Sequence, residues 1–597
     1  MPLPLPCSLG HKRSMTAFLN VETSLTGRRW VGPGIETDRQ AEALVQATGL
    51  PDPICHILAV RGVDRAEVDG FLSPTLRDLL PDPLKLRDMG VAGERFVAAV
   101  KRKERIAVFG DYDVDGGSST ALLVDWLRQL GLRATIYIPD RIDEGYGPNE
   151  QAMADLARDH DLIICVDCGT LSHGPIAAAQ GADVIVLDHH LGGETLPDCV
   201  AVVNPNRQDE TGELAHLCAA GVVFLLLVEA NRRLRADNIQ GPNLMNMLDL
   251  VALATVADVA PLVGVNRAFV RQGLAIMAQR LRPGLVALAD VAGMDAMPTS
   301  YHLGFLLGPR VNAGGRIGQA DLGARLLSTD NMIEAQNIAA QLDALNKDRR
   351  AIENEVRALA MVQAEERGLE APLVWAAQDG WHPGVVGIVA ARLKEATNRP
   401  SVVIGFDGDI GKGSARSVSG IDLGASIQKV AAEGLLIKGG GHKMAAGLTV
   451  HRDQLEPAMA RLSELLAKQG AGTLGPADLK VTSILMPGAA TVELIEQLEQ
   501  AGPFGAGASA PRFVFPDVQI NFAKRVGENH LKVSFSDGLG PRLDAICFGA
   551  FDGPIGPAID GHNGKRFHLA GKLDVNIWQG RKTAQLRLED AAEVSQA

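Results

Sequence analysis

Three short apolar runs, IAVFG at 106–110, LIICV at 162–166 and VIVL at 184–187, each end directly on an acid: Asp111, Asp167 and Asp188. Continuous runs of aliphatic residues, with no polar alternation, are the pattern of strands buried on both faces, which requires a parallel sheet covered by helices. The intervening sequence supplies them. SSTALLVDWLRQLG follows the first run, ATIYIP and a helical pattern near 149–158 come next, and AVVN at 201–204 closes the series. This βαβ alternation places the acids at strand tips, where open α/β sheets carry out chemistry.

The tips carry more acid and imidazole than capping requires. GDYDVDG at 110–116 supplies Asp111, Asp113 and Asp115 on a loop after a strand, and LDHH at 187–190 supplies Asp188, His189 and His190 as three potential metal ligands. Asp258 ends a helical run. Hard divalent ions take oxygen ligands, and mixed carboxylate and imidazole sets suit manganese or a similar first-row ion. A carboxylate such as Asp167 can bridge two ions. Such a pair, roughly 3.5–4 Å apart, activates a bridging water and stabilises both oxygens of an in-line displacement at phosphorus. The indicated reaction is phosphoester hydrolysis. Residue by residue the competing readings are ordinary: Asp111 or Asp113 capping a helix that begins near Ser118, His189 and His190 bonded to backbone, Asp258 at a helix end. Capping accounts for neither three acids in five residues nor paired histidines after a buried strand.

Along the 597 residues the pattern divides into five parts: an N-terminal helical cap at 1–90, an α/β unit at 91–275, a helical region ending in a long connecting helix at 276–368, a second α/β unit at 369–455 and a β-rich region at 456–597. The second unit contains LVWAA, the helix VVGIVAARLKEAT and the Gly-rich GGGHKMAAG. The last part reads FVFPDVQI, HLKVSFSDG, LDAICFG, FHLAGKLDVNIW and TAQLRLEDA, short strands in the manner of a small barrel of the OB type. Composition is that of a globular protein, 46% apolar and 22% charged, with no uncharged apolar stretch of membrane-spanning length. The N-terminus has its basic residues after a short apolar stretch rather than before it, and seven scattered cysteines fit a reducing compartment; a cytoplasmic location is expected. Cys165 and Cys168 read as core and loop residues rather than a redox pair. The net charge of −13 argues against a uniformly basic surface but leaves room for a local basic groove.

GDYDVDG, VDCG at 166–169, LDHH and LATVADVAPL at 253–262 resemble the four ordered motifs of the DHH phosphoesterase superfamily. LGPRVNAGGRIG at 307–318, GWHPGVVGIVAARL at 380–393, GSARS at 413–417, GGGHKMAAG at 439–447 and GPFGAG at 502–507 resemble the RecJ family of single-strand-specific 5′-to-3′ DNA exonucleases, in order from roughly residue 90 onward. The resemblance implies an α/β fold with a DHH domain and a DHH-associated domain joined by a long helix, followed by an OB-fold. It also implies two Mn2+ or Mg2+ ions. Asp115, Asp167, His189 and Asp258 would hold one, and Asp113 with the bridging Asp167 the other; Asp111 is an additional catalytic candidate. His190 would lie against the scissile phosphate, or orient a neighbouring ligand.

Arg310, Asn312 and Arg316, expected on a Gly-containing loop, and Ser414, Arg416 and Ser417 offer phosphate donors. Gly439, Gly440, Gly441 and His442 suit a grip on a terminal phosphate, with a tight turn as the competing reading. Trp381 and His382 would border a base, or Trp381 would be core. In the β-rich region Arg512, Phe513, Lys532 and Trp578 would guide single-stranded nucleic acid, although aromatics alternating on strands more often face a barrel core. A helicase and a single-strand-binding protein are partners implied by the resemblance alone. Two departures stand out: Ala508 and Ser509 replace the family's usual continuation after GPFG-x-G, and the first ~15 residues differ from the family's start, leaving Met15 as a candidate initiator. The alternatives are a DHH phosphodiesterase acting on short RNA or cyclic dinucleotides, a pyrophosphatase, and a non-catalytic single-strand-binding scaffold.

Overall fold

The computed structural model describes residues 17–141, 144–473 and 475–594; Met15 and the segment before it lie outside them. The chain forms two compact units, one of residues 73–473 with 503–509 and one of residues 17–72, 475–502 and 510–594.

In the larger unit the apolar runs become a five-stranded, all-parallel sheet in the spatial order Ala134–Tyr137, Ile106–Gly110, Leu162–Val166, Asp183–Leu187, Ala201–Val203. Every residue of Ile106–Gly110 and of Leu162–Val166 is buried. Strand order reverses between these two neighbours, so the crevice at their carboxyl ends is the topological switch point at which such sheets bind ligands. Asp111 and Asp167 follow immediately on its two sides. The helix after the first strand runs Val114–Gln129, starting four residues ahead of Ser118 because Asp113 caps it: its carboxylate accepts the backbone N–H groups of Asp115 and Gly116 at 2.8 and 3.1 Å.

Helix Met332–Arg367 is 36 residues long and spans about 54 Å. Its first half contributes Ile338 and Leu342 to the core around the parallel sheet, whereas Val356, Ala360 and Ala364 belong to a second core with Val385, Val389 and Leu393. This second core backs a mixed sheet in the order Lys438–Gly441, Ala445–His451, Ile410–Arg416, Ser401–Asp407, Val374–Asp379. One helix thus holds two sheets in a single compact unit.

The smaller unit is built on a sheet that closes on itself. Phe513–Val526 pairs with His530–Ser536, that with Leu543–Cys547, then Arg581–Glu593, then Arg566–Trp578, which returns to Phe513–Val526. Closure leaves the barrel no free edge. The N-terminal segment is tied to the same unit: Trp30–Val31 pairs in parallel with Leu479–Lys480. Fully buried Asp590, on the last strand, accepts hydrogen bonds from Ser24 Oγ at 2.7 Å and Trp30 Nε1 at 3.0 Å.

No helix among the described residues is long and apolar enough to cross a membrane. Cys165 and Cys168 are both buried and free.

Asp590→Ala leaves the buried Trp30 indole N–H without its acceptor and takes one partner from Ser24, a loss of about 1–3 kcal/mol in this unit. Urea unfolding followed by the fluorescence of Trp30, together with protease cleavage before residue 72, is expected to show the segment released early. Unchanged unfolding and cleavage would mean that the network contributes nothing.

Candidate metal centre

The switch-point crevice gathers acids from three separate stretches of chain and paired histidines from a fourth. Ligand atoms of Asp111, Asp113 and Asp167 lie within 4.8 Å of one another, as do those of Asp115, His189 and Asp258, and those of Asp167, His189 and His190. His189 Nε2 sits 3.3 Å from Asp167 Oδ1, 3.7 Å from Asp115 Oδ2 and 3.8 Å from Asp258 Oδ2. Asp167 is shared between two of these groups and takes a left-handed backbone conformation, φ 61°. For a residue other than glycine that conformation is unusual, and such strain collects at functional sites.

The local sequence explains how each acid is presented. Gly116 lets the turn fold onto itself, because a Cβ there would lie 2.6 Å from the backbone nitrogen of Asp111. Asp115 is fixed by two backbone N–H groups at the start of helix Ala219–Ala236, from Ala219 at 2.7 Å and Ala220 at 2.8 Å, so the helix dipole faces its charge. Asn312, expected to contact phosphate, instead accepts the N–H of Val114 at 3.0 Å and braces the acidic turn.

Asp188 does not join the ligand groups. Its carboxylate accepts the backbone N–H groups of Thr170, His189 and His190 and the His190 Nδ1 at 2.8 Å, so it shapes the histidine turn rather than offering a free oxygen. This corrects the reading of the Asp-His-His triplet as three ligands. Burial opposes a charge on His190, yet the Asp188 hydrogen bond outweighs it and carries the imidazole up to about 9; burial likewise works against the Asp188 carboxylate, which its partners nonetheless hold below its usual range.

Tyr146 and Asn204 carry the same turn and escaped the sequence reading. Tyr146 Oη donates to the Asp167 carbonyl at 3.0 Å and lies 3.1 Å from His190 Nδ1, while Asn204 Nδ2 donates to the His190 carbonyl at 2.7 Å. Both follow strands of the parallel sheet, in EGYG and AVVN, and that position was the available signal.

Burial, followed by the charges of neighbouring acids, pushes Asp111 and Asp167 well above the usual carboxylate range and Asp258 to about 8. Burial also raises Asp115, although His189 works against it. Asp111 Oδ1 and Asp167 Oδ1 are buried without a hydrogen-bond donor among the described residues. Oxygens with lone pairs, aimed into a cleft of like charges, are the donor set that hard divalent cations fit.

Beside the acids lies a cationic group. Arg310, Asn312 and Arg316 stand on helix Gly308–Ile317 rather than on a loop. Arg310 is turned away, buried in an ion pair with Asp343 at 3.0 Å. Arg316 remains at the cleft, where Gly315 packs against Tyr112 and the Arg316 guanidinium donates to the Gly384 carbonyl at 3.2 Å. Burial and then the charge of Arg141 lower Arg316 to about 10, and the same two causes, in the same order, lower Arg416 and His382. Arg141, whose guanidinium lies over the Tyr112 ring, is therefore the common neighbour of all three. It follows the strand Ala134–Tyr137 in sequence.

His382 caps helix Pro383–Thr397, accepting the Gly384 N–H at 3.0 Å. Gly387 on that helix leaves room for Ser414 Oγ and Arg416 Nη2, which a Cβ would meet at 3.3 and 3.2 Å. Trp381 is buried in the second core and has no face free for a base. Gly439, Gly440 and Gly441 form an edge strand, not a loop, and His442 after them is exposed. Ser417 is buried and donates to the Ile421 carbonyl at 2.9 Å. In the barrel, Phe513 is wholly buried, Arg512 is paired with Glu589, Lys532 lies 3.7 Å from Asp544, and Trp578 is 72% exposed.

Residues 105–255 match the DHH family N-terminal domain, 370–468 the DHHA1 domain and 482–590 the RecJ OB domain. The single-stranded-DNA-specific exonuclease RecJ of Escherichia coli is 37% identical over 564 residues, covering 91% of this chain and 96% of that protein. The chain belongs to the RecJ family. The Bacillus subtilis RecJ is 34% identical, covering 94% of this chain and 71% of that protein. A crystal structure of Thermus thermophilus RecJ with Mn2+ superposes with a TM-score of 0.78 at 29% identity, covering 95% of this chain and 80% of that one.

Asp167→Asn replaces a carboxyl that must give up its proton to hold a cation with an amide that does not ionise, while keeping a residue that tolerates the left-handed backbone. Calorimetry in EDTA is expected to show it melting a few degrees above the parent, with most of the Mn2+-induced rise in Tm gone. Since the metal-free folded acids hold protons that the unfolded chain has released, stability without metal is expected to fall as pH rises from about 4 to about 8. An unchanged Mn2+ response in this variant would remove Asp167 from the centre.

Proposed function

We propose that the chain is a metal-dependent, single-stranded-DNA-specific 5′-to-3′ exonuclease that releases mononucleotides and acts in DNA repair and recombination. The observation that carries this reading is the pairing, in one compact unit, of a buried acid cluster able to hold two cations with a group of desolvated guanidiniums beside it. Asp111, Asp113 and Asp167 would hold one ion, Asp115, His189 and Asp258 with the shared Asp167 the other. When bound, Mn2+ or Mg2+ supplies Lewis-acid polarisation of the phosphate and a water acidic enough to attack at neutral pH.

The chain's own groups do the rest. His190, held by Asp188 and Tyr146, presents a donor to an oxygen of the scissile phosphate. Arg316, Arg416, Ser414 and His382 form an anion site that would receive the terminal 5′ phosphate, with Gly440, Gly441 and His442 on the edge strand and just after it, one strand removed from Ser414 and Arg416. Burial has already stripped these guanidiniums of much of their hydration, so a phosphate meets them at small desolvation cost. An end held there would leave the next phosphodiester for the metals, and repeated cleavage would yield mononucleotides. The closed barrel matching the RecJ OB domain supports a polymeric substrate over cyclic dinucleotides, short RNA or pyrophosphate. A cytoplasmic location and work beside a helicase and a single-strand-binding protein complete the reading.

Labelled single-stranded DNA, duplex DNA, short RNA and cyclic dinucleotides, each incubated with Mn2+, test it: the first is expected to yield 5′ mononucleotides, and binding without cleavage would favour the scaffold alternative. Asp167→Ala is expected to cut kcat by roughly 1000-fold or more while retaining single-strand affinity. Arg416→Ala is expected to raise KM for 5′-phosphorylated strands by roughly 10- to 100-fold, the worth of one charge-assisted hydrogen bond, and to have less effect on 5′-hydroxyl strands. An equal effect on both ends would remove Arg416 from the phosphate site.

A further inference from the structure

Asp258 stands at a bend that does not hold itself. It ends helix Leu248–Ala257, and the next residue, Val259, has φ 60° with its side chain 69% exposed. A β-branched residue in the left-handed region is a rare and strained choice at a helix end, where glycine is the usual occupant. The local bonds from Val259 N–H to the Val256 carbonyl at 3.2 Å and from Ala260 N–H to the Thr255 carbonyl at 3.1 Å close the turn, but Val259 itself buries too little to offset the strain. Strain of this kind persists only where surrounding structure over-determines it.

The surrounding structure comes from a distant part of the chain. After residue 473 the chain leaves the larger unit, and it returns only for residues 503–509, GPFGAG in part, before leaving again. Within that return the Ala506 carbonyl accepts the Leu262 N–H at 2.8 Å. Gly505 and Ala508 bond to each other in both directions, at 3.0 and 3.1 Å, which makes the loop a rigid clip. Ala508 is buried in the core around the parallel sheet. Gly505 approaches Leu262 so closely that a Cβ would lie 2.8 Å from Leu262 Cδ1, and Gly507, at φ 65°, would bring one within 3.1 Å of Pro261. From the other side, buried Asn266 donates to the Pro261 carbonyl at 3.0 Å and to the His216 carbonyl at 2.7 Å. The stretch from Pro261 to Leu262 is thus gripped between Asn266 and the returning loop, three residues beyond Asp258.

We propose that the loop Pro503–Ser509 is a positioning element for Asp258, holding the strained Asp258–Val259 turn so that the carboxylate faces His189 and Asp115. The inference rests on the reading of Asp258 as a metal ligand. It accounts for the two glycines, since the clip lies directly against Pro261 and Leu262. It also makes one metal ligand depend on a segment whose chain continues, in both directions, into the unit that contains the barrel.

The test uses the full-length chain with Mn2+. Gly507→Val and Gly505→Ala are each expected to weaken Mn2+ binding roughly tenfold, as supporting groups around metal sites do, when free Mn2+ is followed by electron paramagnetic resonance. They should lower kcat with little change in KM, leave single-strand binding in EDTA intact, and recover activity at raised Mn2+. Leu262→Val, which shortens the side chain facing residue 505, should restore the Mn2+ isotherm of Gly505→Ala. An unchanged isotherm in both variants, or a loss that excess Mn2+ and Leu262→Val leave uncorrected, overturns the positioning role. Asp258→Asn is the control: if it leaves the isotherm unchanged, the ligand reading has failed, whereas a weakened isotherm in Asp258→Asn alone rejects the loop.

Discussion

Packing several carboxylates into one buried crevice is the constraint around which the larger unit is arranged. Asp111, Asp115 and Asp167 are buried, and each is pushed toward protonation by the loss of water, with the neighbouring acids adding to it at every one of them. Left alone, such a cluster destabilises the fold. The surroundings suit a cation site rather than a core: a helix start faces Asp115, Asp188 commits its lone pairs to the histidine turn, and Asp167 is held in a strained conformation that points it inward. Three strand tips and two helix ends must arrive together for any of this to work, and the switch in strand order is what opens the space between them.

Opposite fields lie side by side in this cleft. The acid cluster ends at Tyr112 and Asp113, and the guanidiniums of Arg141 and Arg316 begin there. Helix Gly308–Ile317 joins the two, since Asn312 bonds to the acidic turn and Arg316 bonds to the helix carrying the second α/β sheet. A polyanion with a terminal phosphate matches such a surface better than a neutral ligand does. The overall charge of −13 hides this local order, because acids at the centre and elsewhere outweigh a basic patch made of a few residues.

Much of the fold was legible because its signals are local. Buried parallel strands read as unbroken apolar runs, and the barrel strands show alternating patterns with turns between them. The histidine and aspartate tips were visible for the same reason, each being attached to a strand that could be read. The misreadings share a different cause. LGPRVNAGGRIG looks like a loop by its glycines and proline, yet it is a helix, because its small residues allow close approach to Tyr112 and to Leu322 and Leu342. Arg310 and Arg316 are equivalent in sequence terms, and only their neighbours, Asp343 for one and the cleft for the other, separate them. Trp381 and Phe513 illustrate the same limit, since an aromatic residue gives no local sign of whether it stacks on a ligand or fills a core.

Chain order alone was enough to establish parallel strands with acids at their tips, and with them a hydrolytic metal chemistry, because periodicity and strand-end position are properties of adjacent residues. Long-range closure decided the rest. The pairing of Trp30–Val31 with Leu479–Lys480, the hydrogen bond from Leu262 to Ala506, and the proximity of Arg141 to Arg316 and Arg416 join residues well over a hundred positions apart. Such contacts are selected by the packing of whole elements against one another, for which no short stretch of sequence carries the information.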